Sequence, residues 1–343
     1  MIKIHSKEFY LLFVMIVLVM SGSFTNVQAE EYVSFSVKAH IPDNQQNKEY
    51  SYFDLRVKPK DEQILKTEIM NHENEEITVK LSVRNATTNQ NGMIVYEETE
   101  AEEESNPPRL TEILSFEEEE IVIPGGESKI VSAKLNMPDK EFDGVILGGL
   151  HFEKVSKDET DIDGVAIQNK YAYLIGVVLS ENDREVVPEL EYIETTADIV
   201  NHRTASVITI ENKSPVIIED LKIEAKVYKE DSNLMKETEL KEVNMAPNSK
   251  MEVVVDWDNQ AFEDGKYHVE VRAEHQSNTW EWEDSFYILK NEATMINSHA
   301  VELEEPDKFN HFVLVIGVIL IGTIIGLLFY IYKLKHGRKS EEL

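Results

Sequence analysis

The sequence of 343 residues contains no cysteine. This absence excludes disulfides, thiolate catalysis and cysteine-metal sites, so the fold has to depend on apolar cores. Basic residues are also few, because 34 Lys and Arg stand against 65 Asp and Glu and give a formal net charge of −31. Without a basic stripe to neutralise phosphates, the chain is predicted to bind no nucleic acid.

Catalytic and metal-binding motifs are absent as well. Scattered histidines form neither an HExxH zinc motif nor another ligand spacing, and no GxSxG nucleophile turn occurs. The stretch ETDIDG (159–164) resembles the start of a calcium loop, but Lys170 stands where an EF-hand needs Glu. We therefore predict no catalytic residue, no cofactor and no metal site. The stretch is interpreted as an acidic linker, with weak calcium binding as the alternative.

Long apolar runs occur only near the two ends. Lys3 and Lys7 precede a short apolar run, and small residues end at Ala29, a pattern that predicts a signal peptide over residues 1–29. Residues 312–332 form an uncharged apolar segment, and this segment is long enough for a transmembrane helix. Residues 333–343 are predicted to form a basic cytoplasmic tail, since Lys and Arg favour the inner side of a membrane. The ectodomain is therefore predicted to be extracellular, with single-pass anchoring in the cell membrane.

The apolar helix also contains Gly322 and Gly326, which fit the GxxxG pattern of helix dimers. Glycine is frequent in membrane helices generally, so this pattern leaves a homodimer open without predicting it.

Between these ends, apolar residues alternate with period two. Examples are VSFSVKAHI (33–41), YFDLRVKP (52–59) and ITVKLSV (77–83), separated by Asn-, Gly- and Pro-rich turns. Short alternating strands at this spacing predict an all-β fold of antiparallel sandwiches. The acidic stretch 97–109 lacks periodicity and is expected to be a long loop. Glu117–Glu120 are interpreted as a charged edge or turn that discourages aggregation.

An internal repeat predicts two tandem immunoglobulin-like β-sandwiches. The same order of elements occurs over residues 65–153 and again over residues 206–274. It consists of a strand, an Asn-led turn, a second strand, and then a Pro turn ending in Ser-Lys. We assign residues 30–155 to the first domain and 165–292 to the second. Residues 293–311 are expected to be a juxtamembrane linker. The strand-like stretch NKYAYLIGVVLSE (169–181) either closes the first domain, extending it to about 182, or opens the second.

Glycines and tryptophans raise two further questions. Gly144 is expected in a turn, and Gly148-Gly149 interrupt a strand, where glycine marks a bulge or a close backbone approach. A phosphate cradle is disfavoured because a strand follows instead of a helix. All three tryptophans, Trp257, Trp280 and Trp282, fall in the second domain. Core packing of at least one is favoured over a ligand platform.

Four stretches carry a resemblance to a known family: 52–96, FDGVILGGLHF (142–152), NKYAYLIGVVLSE (169–181), and MAPNSK (245–250) with the later DGKYHVEV. With the order of signal peptide, two β-domains, apolar helix and basic tail, the chain resembles the WxL-interacting proteins of Gram-positive bacteria. The resemblance implies a first domain that binds peptidoglycan and a second that binds a host ligand. It also implies a neighbouring surface protein with a WxL domain as partner.

The resulting hypothesis is a non-enzymatic cell-surface adaptor that holds peptidoglycan and a WxL-domain protein, a host extracellular-matrix protein, or both. The alternative is a membrane-anchored immunoglobulin-like chaperone that assists assembly of exported surface proteins. Strand addition to an exposed sheet edge is one expected mode of contact. The resemblance transfers no binding residue to this chain, so the binding site is left to the structure.

Overall fold

The computed structural model describes residues 33–98, 107–155, 171–230, 233–301, 303 and 311–337. Several sequence predictions lie outside these residues. They are the signal peptide, the calcium-like stretch 159–164, most of the acidic loop 97–109 and the end of the basic tail.

The first domain consists of two facing sheets built from ten strands. One sheet has the strand order β1-β3-β8-β6, and the other has the order β2-β10-β9-β4-β5, with β7 also pairing with β4. Pairing is antiparallel throughout except for β2 and β10, which are parallel. The strands are β1 (Phe35–His40), β2 (Phe53–Arg56), β3 (Glu62–Asn71), β4 (Ile77–Thr88), β5 (Ile94–Glu97), β6 (Leu114–Phe116), β7 (Glu120–Ile123), β8 (Ser128–Asn136), β9 (Ile146–Lys154) and β10 (Ala172–Ser180).

Alternate residues of these strands form the core between the two sheets. The apolar positions predicted from period two are confirmed in β2 and β4, where Phe53, Leu55 and Val79 are fully buried. In β1 only the middle of the predicted face is covered, since Phe35 is buried but Val33 and Ile41 at its ends are exposed. Strand β1 is an edge strand, and β3 ends at Asn71 opposite Phe35, so Val33 lies beyond the end of its partner.

The strand that the sequence leaves between the two domains, β10, lies in the first one. Ala172–Leu179 pair with β9, and Val177–Ser180 pair with β2. The strand therefore closes the first pair of sheets, and the chain passes to the second domain only after Ser180.

The second domain also consists of two facing sheets, here built from seven antiparallel strands. The sheet orders are β11-β12-β15 and β14-β13-β16-β17. Their shared core contains Trp257, which is 1% exposed, and Trp280 and Trp282 pack against it as partly buried side chains. The strands are β11 (Leu190–Val200), β12 (Arg203–Asn212), β13 (Ile218–Lys229), β14 (Asn233–Met245), β15 (Ser249–Asp256), β16 (Gly265–His275) and β17 (Asn278–Ile288).

Three helices accompany the sheets: α1 (Leu110–Ile113), α2 (Lys290–His299) and α3 (His311–Gly337). Helix α2 occupies the start of the segment expected to be a juxtamembrane linker. It forms because Ala293 and Ile296, three residues apart on one helix face, are buried in the second core. Asn297 fixes it further, accepting the Phe262 N–H at 2.8 Å and donating to the Phe262 carbonyl at 2.9 Å.

Helix α3 covers the apolar segment 312–332, and its side chains are described from Ile319 to Tyr332. Among the described residues, no helix meets the combined length and apolar character required to cross a membrane.

The two domains meet at a junction made of turns from the first and loops from the second. Two turn glycines with positive φ lie there, Gly92 (71°) and Gly144 (82°). A Cβ on Gly92 would come within 2.7 Å of Val243, and one on Gly144 within 2.1 Å of the Pro215 carbonyl oxygen. Only glycine permits both this backbone conformation and this close approach.

Hydrogen bonds join the domains across the same junction. The Val145 N–H donates to the Pro215 carbonyl at 2.8 Å, and the Asn244 N–H donates to the Gly92 carbonyl at 2.7 Å. The buried Thr88 hydroxyl accepts the Ala246 N–H at 2.9 Å. The junction is therefore made of specific contacts between the two domains.

The junction lies at the end of the second domain opposite Val301, just beyond helix α2. Strand β12 begins beside His202, whose carbonyl accepts the Val301 N–H at 2.8 Å, and it ends at Asn212, close to Pro215. At 3.3 Å per residue, ten residues of strand place these two ends about 30 Å apart.

Candidate functional site

A large cleft opens on the first domain where it meets the second. Its volume is about 1010 Å³, and it is named here the tyrosine cleft. Side chains from a loop, four strands and the second domain line it. The lining residues are Val37, Lys38, Ala39, Ile41, Glu49, Tyr50, Ser51, Tyr52, Met93, Ile94, Tyr96, Leu147, Tyr173, Leu174, Ile175, Gly176, Val178, Ile217, Glu219 and Asn244.

Two stacked rings form the aromatic wall of the cleft. The ring centroids of Tyr50 and Tyr52 lie 4.8 Å apart with an interplanar angle of 17°, and Tyr50 is 43% exposed. Desolvation, followed by the neighbouring Tyr50, raises the pKa of Tyr52, and burial raises the pKa of Tyr96. Both hydroxyls therefore stay neutral at physiological pH and can donate hydrogen bonds as well as accept them.

A buried glutamine holds the loop that carries these rings. Gln45, which is 5% exposed, donates to the Tyr52 carbonyl at 2.9 Å and to the Asn47 carbonyl at 3.1 Å. Its side-chain oxygen accepts the Asp54 N–H at 3.0 Å. One amide thus joins the loop to the start of β2. This preorganises the Tyr50–Tyr52 pair before any ligand arrives.

The floor of the cleft is the outer face of the second sheet of this domain. Gly149 of β9 pairs directly with Gly176 of β10. A Cβ on Gly176 would stand 3.8 Å from the Tyr52 side chain, and one on Gly149 would stand 3.0 Å from Leu174. Because neither glycine has a side chain, Leu174 can pack closely over Gly149 and Tyr52 can lie close to the strand at Gly176.

The expected alternatives for Gly148-Gly149 were a bulge and a close backbone approach, and the close approach is confirmed. The register of β9 continues without a shift against both β4 and β10, so no bulge occurs there. Gly148 faces inward, where a Cβ would come within 2.5 Å of the Arg84 carbonyl oxygen and of Leu110. The missing side chain of Gly148 therefore allows Leu110 of α1 to pack against the sheet.

One edge of the floor has backbone groups without a strand partner among the described residues. The Tyr171 carbonyl accepts the Lys154 N–H on the β9 side of the strand. The Ser180 carbonyl accepts the Val57 N–H on the β2 side. Backbone groups alternate sides along a strand, so those of Ala172 and Leu174 point to the β2 side. Strand β2 pairs with Val177–Ser180, which leaves the edge at Ala172 and Leu174 without a strand partner among the described residues, and Leu174 lines the cleft.

Other residues singled out from the sequence do not gather into a site. Among the described residues, no group of three or more His, Asp or Glu is placed to hold a metal ion. His151 lies on β9 near Ser82, with 3.4 Å between its Nδ1 and the Ser82 hydroxyl. Glu117–Glu119 form the turn before β7, with Glu118 paired to Lys129 at 3.5 Å. The cleft itself could not be found by motif, because Tyr50 and Tyr173 are far apart in sequence.

Two pairs of facing sheets with apolar cores, meeting beside an aromatic cleft, define an all-β protein of two domains. Comparison with protein families identifies which one. The peptidoglycan-binding domain of WxL Interacting Protein matches residues 35–154, and the host-binding domain of the same protein matches residues 163–298. This chain belongs to the WxL-interacting protein family. Both matched families are binding domains, and the second match includes β10, although that strand pairs within the first domain.

Similar solved structures include three chaperones. The E. coli chaperone DraB is 12% identical, with 73% of this chain and 98% of that chain covered and a TM-score of 0.28. The class 5 fimbriae chaperone CfaA is 15% identical, with 74% and 98% covered and a TM-score of 0.29. The Pseudomonas aeruginosa CupB2 chaperone is 10% identical, with 65% and 91% covered and a TM-score of 0.25. At these TM-scores the likeness carries no argument about function. Comparison with curated protein sequences gives no match.

Proposed function

We propose that this protein is a non-enzymatic cell-surface adaptor whose first domain binds peptidoglycan in the tyrosine cleft. The carrying observation is that the peptidoglycan-binding match, 35–154, covers most residues that line the cleft. Its second domain then binds a WxL-domain surface protein or a host extracellular ligand, in agreement with the host-binding match over 163–298.

The chemistry of the cleft supports this assignment. Its walls combine tyrosine rings with hydroxyls, which suits a ligand that is apolar on one face and rich in hydrogen-bonding groups at its rim. The net charge of −31 disfavours anionic wall polymers in general. Because Lys38, Glu49 and Glu219 are the charged residues lining the cleft, a largely uncharged surface remains for a wall ligand.

Anchoring is part of the same proposal. We assign residues 1–29 to a signal peptide, 312–332 to a single membrane span and the ectodomain to the cell-wall zone, as two immunoglobulin-like sandwiches. The uncharged segment and the helix observed over His311–Gly337 support the anchor. Large side chains from Ile319 to Tyr332 are exposed in the isolated chain, which leaves them free to contact lipid.

Sedimentation with purified peptidoglycan sacculi tests the wall-binding function. Detergent-solubilised full chain is expected to pellet with sacculi, and Tyr50→Ala should weaken retention by about tenfold because an aromatic anchor is lost. Tyr287→Ala is the matched control, since Tyr287 is an exposed tyrosine of the second domain. Retention no greater than that of an unrelated β-sandwich protein would refute the function.

Affinity capture from native membranes tests the partner. A stable complex with a WxL-domain protein supports the adaptor. Clients that bind during export and are released with time would instead support the chaperone alternative.

A further inference from the structure

We infer that the tyrosine cleft recognises the N-acetylated glycan strand of peptidoglycan and not its stem peptide. This inference rests on the proposed function and names the ligand class of the same site. Three features carry it: an exposed aromatic face, an open strand edge and the signs of the nearby charges.

The first feature is the Tyr50 ring. One face of this ring stacks on Tyr52, and with 43% of the residue exposed the other face is available to a ligand. The C–H face of a pyranose ring is apolar and flat, so it packs on such a ring while the sugar hydroxyls remain at the rim.

The second feature is the open edge of β10. The backbone N–H and C=O of Leu174 point into the cleft region without a strand partner among the described residues. An acetamido group offers one N–H and one C=O, as a peptide unit does, and can therefore bond to such an edge. A glycan without acetamido groups cannot make this pair of hydrogen bonds.

The third feature is charge. Two carboxylates, Glu49 and Glu219, and one ammonium group, Lys38, line the cleft. Stem peptides end in carboxylates, which Glu49 and Glu219 repel, whereas the N-acetylated sugar backbone is neutral apart from its lactyl links. The volume of about 1010 Å³ is at the upper end of small-molecule pockets, which suits several linked sugars.

Calorimetric titration of the full chain in nanodiscs distinguishes the ligand classes. The probes are a hexamer of β-1,4-linked N-acetylglucosamine, cellohexaose as the matched glycan without acetamido groups, and a soluble stem pentapeptide. We expect the N-acetylglucosamine hexamer to bind, cellohexaose to bind at least about tenfold more weakly, and the pentapeptide not to bind. Tyr50→Ala should weaken the hexamer about tenfold, and Tyr287→Ala should leave it unchanged.

The outcomes separate this inference from the function on which it rests. Equal binding of both hexasaccharides would remove the acetamido contact and overturn the inference. Binding of the pentapeptide alone would assign the cleft to the stem peptide. Retention on sacculi without binding of the hexamer would also overturn the glycan assignment, yet the proposed function would stand. Loss of sacculus binding itself would refute the function.

Discussion

Two buried asparagines perform the same task in the two domains. Asn71 donates to the carbonyls of Glu75 (2.8 Å), Ile123 (3.1 Å) and Pro124 (3.0 Å), and its side-chain oxygen accepts the Glu73 N–H. Asn212 makes the equivalent hydrogen bonds in the second domain. It donates to the carbonyl of Val216, four residues later, at 2.8 Å and to the carbonyl of Ala246, in the Pro turn, at 2.9 Å. Both side chains are 0% exposed. Each amide therefore donates the hydrogen bonds that these buried carbonyls can obtain neither from water nor from a neighbouring strand.

Removing either amide should destabilise its own domain. Asn71→Ala or Asn212→Ala leaves buried carbonyls without a donor and is expected to lower the free energy of unfolding by about 1–3 kcal/mol. Asn91→Ala, at an exposed turn position, is the control and should change it by less than about 0.5 kcal/mol. Urea unfolding measures both. Equal midpoints for Asn71→Ala and the control would show that the amide is not structural.

His151 should make stability depend on pH. Burial, followed by the charge of Arg84, lowers the pKa of His151 below its ordinary value of about 6.5. A lowered pKa means that the folded state binds the proton less well than the unfolded chain. The resulting stability is present above about pH 6.5 and is lost as pH falls through the lower folded pKa.

His151→Gln is therefore expected to lose less stability than wild type between pH 7 and pH 5, as measured by urea midpoints. Carboxylates titrate in both proteins, so the difference between them isolates the histidine. Parallel pH profiles would contradict a role for His151.

Among the elements, helix α2 is the clearest case of an element that the structure contains and the sequence does not predict. Leu289, which precedes it, has no side-chain acceptor, so the usual Ser, Thr or Asp start signal is missing. Glu292 supplies a substitute by accepting the Leu289 N–H at 3.2 Å. With only ten residues, most of them polar, the helix depends on tertiary packing rather than propensity.

Shortening one buried side chain of α2 should therefore destabilise the second domain. Ile296 is 5% exposed, and Ile296→Ala is expected to lower the free energy of unfolding by about 2–4 kcal/mol. Met295, 59% exposed on the same helix, provides the matched control, and Met295→Ala should have little effect. If both variants unfold like wild type, the segment behaves as the linker that its sequence predicts.

The β-strands were predictable for a simple reason. In β2 and β4 the apolar residues alternate strictly. A pattern of period two indicates a β-strand whose apolar face is buried in the core. The tyrosine cleft was not predictable, because Tyr50, Tyr96 and Tyr173 come from a loop and two strands that only the topology brings together. Gln45, which fixes the loop, carries no local signal either, since its partners are backbone groups that come within reach of its side chain only after folding.

At the scale of the whole molecule, the junction decides whether the two domains move together. Gly144→Ala would place a Cβ 2.1 Å from the Pro215 carbonyl oxygen at a φ of 82°. We expect this change to separate the domains while each remains folded. NMR relaxation should then give two rotational correlation times in place of one.

Gly126→Ala is the control for backbone strain, because Gly126 has a similar φ of 71° but nothing within 4 Å of its Cβ position. It should cost about 1 kcal/mol of stability and leave the domains coupled. Coupled tumbling in Gly144→Ala would show that the junction is softer than its contacts indicate.

The placement of the junction also has a mechanical consequence. The cleft lies at one end of β12 and the chain leaves the second domain at the other, beside His202. A polymer pulled while the C-terminal helix is held would therefore load the second domain along its strands. In that direction the hydrogen bonds between β11 and β12 are loaded in shear and resist together instead of opening one at a time.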